Sequence, residues 1–115
     1  MDIKNSNTTT GDKSICQIIK DFLFHCQFEK RLSPKTLKAY EIDLKQFEYF
    51  LNKNGANAII ENVSKEQLKD YLQSISHFKT KTIKRKVASL KAMLNYIEYE
   101  DDNYINPFSE NQNSY

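Results

Sequence analysis

The chain has little of what breaks helices and little of what builds most active sites. Its 115 residues include two Gly, two Pro, two Cys, two His, two arginines (Arg31 and Arg85) and no Trp. So few Gly and Pro leave little material for tight turns and favour long helices. There is no strand-like alternation and no glycine-rich phosphate loop. The histidines and carboxylates are dispersed, so nothing assembles a nucleophile, a base and an orienting group. No catalytic residue is assigned, and no cofactor is implied. No apolar run is long enough to cross a bilayer, and the N-terminus lacks a signal-peptide pattern. A cytoplasmic protein with no membrane partner is expected. Cys16 and Cys26 fall in one predicted helix, roughly 15 Å apart along its axis, too far to pair. As two buried free thiols they fit a reducing compartment. His25 beside Cys26 lacks a second pair of ligands, and Asp43 and Asp101-Asp102 read as solvated acids at helix ends. No metal site is expected.

What is present is a helical pattern. Apolar residues make up 39% of the chain, with seven Phe and seven Tyr supplying much of the packing. Residues 1–13 are polar and are expected to form a flexible arm. Ser14 and Gln17 then form a capping box, and Ile15, Ile18, Ile19, Phe22, Leu23 and Cys26 line the buried face of a first helix running to about Lys30. Ser33-Pro34 starts a second helix, with Ser33 as cap and Pro34 in the first turn. Its stripe is Leu37, Tyr40, Leu44, Phe47 and Leu51, and Asn54-Gly55 ends it. Ile59 and Ile60 are expected to tuck under the bundle. Ser64 with Gln67 repeats the capping box and opens a third helix facing inward through Leu68, Tyr71, Leu72 and Ile75. Phe24, Phe28, Tyr49 and Tyr96 lie off the main stripes. Four helices with short connections predict an all-α fold, a compact bundle of four to five helices. The helical domain covers residues 14–100, and residues 101–115 read as an acidic linker opened by Asn106-Pro107.

The charge is unevenly placed. The formal net charge is only +2, yet Lys79–Lys91 holds six bases and no acid, whereas Ala92–Tyr115 holds five acids and no base. In the fourth helix, Lys79–Tyr99, the stripe Ile83, Val87, Leu90, Leu94 and Ile97 is expected to be buried. Lys81, Lys84, Arg85 and Lys91 lie opposite, around Ala88, Ala92 and Asn95. Like charges at this spacing repel by a few tenths of a kcal/mol per pair, so an unmixed basic face suits a polyanion better than water alone. Lys84 and Arg85 both point away from the apolar stripe, so exchanging both for Glu is expected to spare the fold. The turn Lys81-Thr82-Ile83-Lys84 repeats Lys35-Thr36-Leu37-Lys38 at the start of the second helix. Helix N-termini carry unpaired N–H groups, so both starts suit phosphate contacts. A helical protein–protein module docking its basic face on an acidic partner is the alternative.

Phe22-Leu23, then Arg31-Leu32-Ser33-Pro34-Lys35-Thr36-Leu37-Lys38-Ala39-Tyr40, Asp43-Leu44 and Phe47 resemble the pattern F-L-(x)n-R-x-L-S-x-x-T-x-x-x-Y-x-x-D-L-x-x-F. Thr82–Lys91 resembles T-I-x-R-x-L-S-A-L-R, and Asn106-Pro107 matches the N-P that follows. Together these are similar to the SAM-like core-binding domain of tyrosine recombinases, the phage-integrase family. The resemblance implies a helical bundle forming half of a clamp around double-stranded DNA, with the second and fourth helices toward the major groove. It implies Thr36, Lys38, Thr82, Lys84 and Arg85 as DNA contacts, with Arg85 able to reach a guanine edge. Lys35, Lys81 and Lys91 join them from the charge pattern. It also implies other recombinase protomers as partners in a synaptic complex, the isolated domain being monomeric. The family's catalytic tyrosine belongs to a second domain that this sequence does not show, so none of the seven tyrosines is assigned that role. The family often has a capping Ser where Lys79 stands, which leaves Thr80 as cap or a frayed start.

Overall fold

The computed structural model describes residues 14–53 and 63–108. Four α-helices run in order: α1 (Ile15–Phe28), α2 (Pro34–Lys53), α3 (Lys65–Ser74) and α4 (Thr80–Glu100). The all-α bundle expected from the sequence is what forms. The flexible arm, the Asn54-Gly55 cap and the packing of Ile59 and Ile60 lie outside the described residues.

The helix starts follow local chemistry. Ser14 accepts from the Gln17 amide at 3.1 Å, but the Gln17 side chain turns to Asp21 instead of closing the box. Ser33 caps α2 by accepting from the Thr36 amide at 3.2 Å. The Ser64–Gln67 box is complete in both directions. At α4 the cap position is Lys79, with no side-chain bond, and Thr80 is simply the first helical residue. Between α1 and α2, Arg31 takes a positive φ of 55°, a left-handed turn that lets the Leu32 amide reach back to the Cys26 carbonyl at 3.0 Å.

The core lies where α1 meets α2 and α2 meets α4, with α3 closing one side. It is built from Ile15, Ile18, Ile19, Phe22 and Cys26 of α1, Leu44, Phe47 and Leu51 of α2, Leu68 and Tyr71 of α3, and Leu90, Met93, Leu94 and Ile97 of α4. Phe47 meets Tyr71 edge-on at 5.0 Å. Phe22 packs against both Tyr40 and Tyr96 at 5.6 Å, so Tyr96 belongs to the packed interior rather than to a spare surface. Two expectations about burial on α1 and α4 also need correction. Cys16 is exposed and only Cys26 is buried, because Cys16 falls beside the apolar arc of α1 rather than on it. On α4, Ile83 and Val87 are only partly buried, while Lys86, Ser89 and Met93 are buried. At 100° per residue this turns the buried arc by roughly 50° from the apolar stripe. The cause is polar and is described below.

Residues 101–108 fold back on α4. Asn106 is 1% exposed. Its amide donates to Asn95 Oδ1 at 3.0 Å, and its own Oδ1 accepts from the Phe108 amide at 2.9 Å. Pro107 is buried, and Phe108 and Tyr104 pack against the core. Asn106 thus pins the chain after α4 at a fixed place. Asn106→Ala is expected to lower stability by about 1–3 kcal/mol and to expose the Phe108 amide to rapid hydrogen exchange; chemical denaturation and exchange NMR check both.

Candidate nucleic-acid interface

The polar feature that turns α4 is Asp43. This α2 carboxylate is 2% exposed, yet it is ionised and fully engaged. Arg85 grips it with two parallel bonds, Nη2 to Oδ1 at 2.7 Å and Nε to Oδ2 at 3.1 Å. Lys86 Nζ donates to Oδ1 at 3.2 Å, and Ser89 Oγ donates to Oδ2 at 2.9 Å. Lys86 also donates to Gln46 Oε1, and the ring of Phe78 lies 5.3 Å from its ammonium. Burial by itself would raise the carboxyl's pKa, but the bonds from Arg85, Ser89 and Lys86, with the Lys86 charge, hold it below the usual carboxylate range. The bonds to Asp43, with its charge, in turn push the Arg85 guanidinium higher. Nearby, burial and then the Asp43 charge push the Tyr71 phenol up to about 12.

Asp43 is therefore no solvated acid. Lys86 and Ser89, which sequence reasoning left out of the site, are the residues that draw α4 inward. A signal for this existed. Asp43 stands in the first family-like segment, Arg85 and Ser89 in the second, and in space the two segments meet. Spacing alone could not say so, because the partners are 42 and 46 residues apart.

Around this junction the proposed contacts sort into two groups. Lys35, Lys38, Lys81, Lys84 and Lys91 are exposed. Lys38 is 3.9 Å from Glu41, and the Lys91 ammonium lies 5.5 Å from the Phe108 ring. Thr36 and Thr82 are half-buried; the Thr36 hydroxyl accepts from Ser33 Oγ at 3.1 Å. Arg85 is divided, with its side chain 51% exposed although it holds Asp43. The two repeated basic turns do not converge. Gln46 and Asp43 of α2 meet Lys86 and Ser89 of α4, while Tyr40 shares a cavity with Ala92 and Tyr96, so the helices pass in opposite senses. Thr36 lies roughly 10 Å from the junction along α2, and Thr82 roughly 5–10 Å from it the other way along α4. The α4 start has no acid in its first turn and no side-chain cap, which leaves its N–H groups and dipole for an anion.

The cavity that Tyr40 shares with Ala92 and Tyr96, of about 600 Å³, opens between the end of α1 and the end of α4. His25 lines it, with Nδ1 2.8 Å from Glu29 Oε1 and its ring 4.9 Å from Tyr96. Cys26 lines it too, its thiol pKa raised by burial. Among the described residues, no three His, Cys, Asp or Glu side chains come together as metal ligands, and no helix is long and apolar enough to cross a membrane.

Residues 19–101 match the family model described as "Phage integrase, N-terminal SAM-like domain". The chain belongs to that family. The match takes in the whole of α2, α3 and the Asp43 junction. Relatives of this SAM-like domain include a tyrosine recombinase of Agathobacter rectalis, 36% identical over 82% of this chain and 30% of that protein. Another is a tyrosine recombinase of Pseudothermotoga lettingae, 35% identical over 73% of the chain and 29% of that protein. A third is the tyrosine recombinase XerC of Staphylococcus epidermidis, 30% identical over 80% of the chain and 31% of that protein. The SAM-like domain thus spans under a third of the length of the relatives it matches. No solved structure matches the chain.

The junction sets how this domain responds to mutation and pH. Asp43→Asn strands the buried Lys86 charge and is expected to cost about 3–5 kcal/mol, measured by urea unfolding. Arg85→Glu would bring two carboxylates together and is expected to unfold the domain, so the expectation that the Lys84, Arg85 double exchange spares the fold does not survive the structure. Because the folded Asp43 pKa is depressed, its contribution is complete above its unfolded value, about 3.9, and is lost as pH falls through the lower folded value. The wild-type melting temperature should drop steeply below about pH 4, and that of Asp43→Asn less so.

Proposed function

We propose that this chain holds duplex DNA as the core-binding domain of a site-specific tyrosine recombinase, in DNA integration or recombination, with α2 and α4 toward the major groove. The observation that carries this reading is the split of charge on α4. Half-exposed Arg85 and buried Lys86 are tied to Asp43, while Lys81, Lys84 and Lys91 are exposed in a run without acids. A structural salt-bridge network would use its bases inward; here most face out. The two basic helix starts stand on opposite sides of the junction, roughly 15–20 Å apart along the helices, so their long side chains can reach phosphates on both sides of a major groove about 12 Å wide. Lys35, Thr36 and Lys38 at one end, and Lys81, Thr82 and Lys84 at the other, then hold phosphates on the two sides of the groove, positioning the domain without reading sequence. Lys91 extends the same face.

The exposed rings of Phe24 and Phe28, 4.6 Å apart on the outside of α1, support a compatible second contact with another recombinase protomer. They do not replace the DNA reading, because no base of the α4 run lies on α1. No strand cleavage is assigned to any residue of this chain.

If Lys35, Lys38, Lys81 and Lys84 each neutralise one phosphate, log affinity should fall with log salt at a slope near −3.6, losing on the order of 10²-fold between 50 and 200 mM salt. Lys81→Glu with Lys84→Glu should abolish binding and leave the helical spectrum intact, since both residues are exposed and outside the Asp43 network. Lys20→Glu with Lys69→Glu, equally exposed on α1 and α3, makes the same charge change and should only weaken binding. Equal losses in both double variants would show a net-charge effect and rule out this face. Absence of salt-sensitive binding by the wild type would favour the protein-interaction module.

A further inference from the structure

Arg85 sits at the centre of the proposed face with two of its five N–H donors committed to Asp43. A guanidinium has two bidentate edges: a side edge formed by Nε and one Nη, and an end edge formed by the two Nη groups. Asp43 occupies the side edge through Nε and Nη2. Nη1 makes no hydrogen bond to any described residue, and the side chain is 51% exposed. The end edge is therefore held at a fixed angle and open to solvent.

Charge would ordinarily defeat such an arrangement, since an isolated arginine–aspartate pair is neutral overall. Here the buried Lys86, 3% exposed, places a second cation on the same carboxylate. One acid and two bases leave the cluster with one net positive charge. Lys86 is sealed beneath Phe78 and beside Gln46, so the only cationic surface the cluster presents is the Arg85 end edge. Ser89 completes the mount by donating to Oδ2, the oxygen that takes Arg85 Nε.

We propose that Asp43 is a positioning residue and that the Arg85 end edge is the central DNA contact of this domain, gripping two coplanar acceptors. In DNA these are either two oxygens of one phosphate or O6 and N7 of a guanine. The gain is preorganisation: a long side chain already fixed loses less freedom on binding. This rests on the DNA-binding reading above, and the experiment separates the two.

The full chain has two arginines, so side-chain ¹⁵N NMR resolves each, with Arg31→Lys giving the assignment. A short mixed-sequence duplex is added, then the same duplex with 7-deazaguanine in place of guanine. On binding, the Arg85 Nη signals should shift while its Nε–H, still on Asp43, keeps its position and slow exchange. A shift lost with the 7-deazaguanine duplex identifies guanine as the acceptor; a shift that persists identifies phosphate. Arg85→Lys keeps the charge beside Asp43 but gives up the fork, and should weaken binding about tenfold at a temperature where circular dichroism shows the variant fully helical. Ser89→Ala should loosen the mount, speeding Nε–H exchange and weakening binding severalfold in the wild type but not in the Arg85→Lys background. Unmoved Arg85 signals, or wild-type affinity in Arg85→Lys, while Lys81→Glu with Lys84→Glu still abolishes binding, would overturn this inference and leave the DNA reading standing. An Arg85 Nε–H that shifts and exchanges freely on binding would show that the bridge opens, and overturn the positioning role. No binding by the wild type would overturn both.

Discussion

One buried carboxylate sets the relation between the two helices that matter most. Moving a carboxylate out of water costs several kcal/mol even after relaxation, and that cost is recovered only when charge partners and hydrogen bonds are close to complete. Asp43 meets this condition through four hydrogen bonds from three residues of a single helix. Because every donor comes from α4, satisfying the carboxylate fixes the rotation of α4 about its own axis. It also fixes its height against α2.

That rotation has a consequence for charge. Burying Lys86 and Ser89 turns the buried arc toward polar side chains and away from Ile83 and Val87, which are only partly buried. The remaining lysines of the run stay at the surface. The basic face and the buried network are two sides of one constraint: the helix is turned inward by two of its bases, and the others are left outward without acids to offset them. A helix packed on Ile83, Val87, Leu90, Leu94 and Ile97 alone would have left Asp43 without its partners.

The segment after α4 is part of the same assembly. Asn106 bonds to Asn95, and Phe108 lies under Lys91. The chain that follows the bundle is therefore held against the helix that carries the basic face. On the DNA-binding reading proposed above, packing rather than a loose tether relates residues 101–108 to the basic face of α4.

Much of the fold was legible from residue order, because helix caps and apolar periodicity are local. Ser33-Pro34, Ser64 with Gln67, and the stripes of α1 and α2 are set by groups within a few residues of one another. The exposed lysines of the basic run were legible for the same reason: no acid stands close enough in sequence to pair with them. What only the tertiary structure decided was the fate of the charges that find partners far along the chain. Asp43 looked solvated, Arg85 looked wholly available and Lys86 looked like one more surface base, since nothing local distinguishes them. Their roles follow from a contact across 42 residues, and the energy of a buried ion pair depends on distance and dielectric in space, not on separation in sequence.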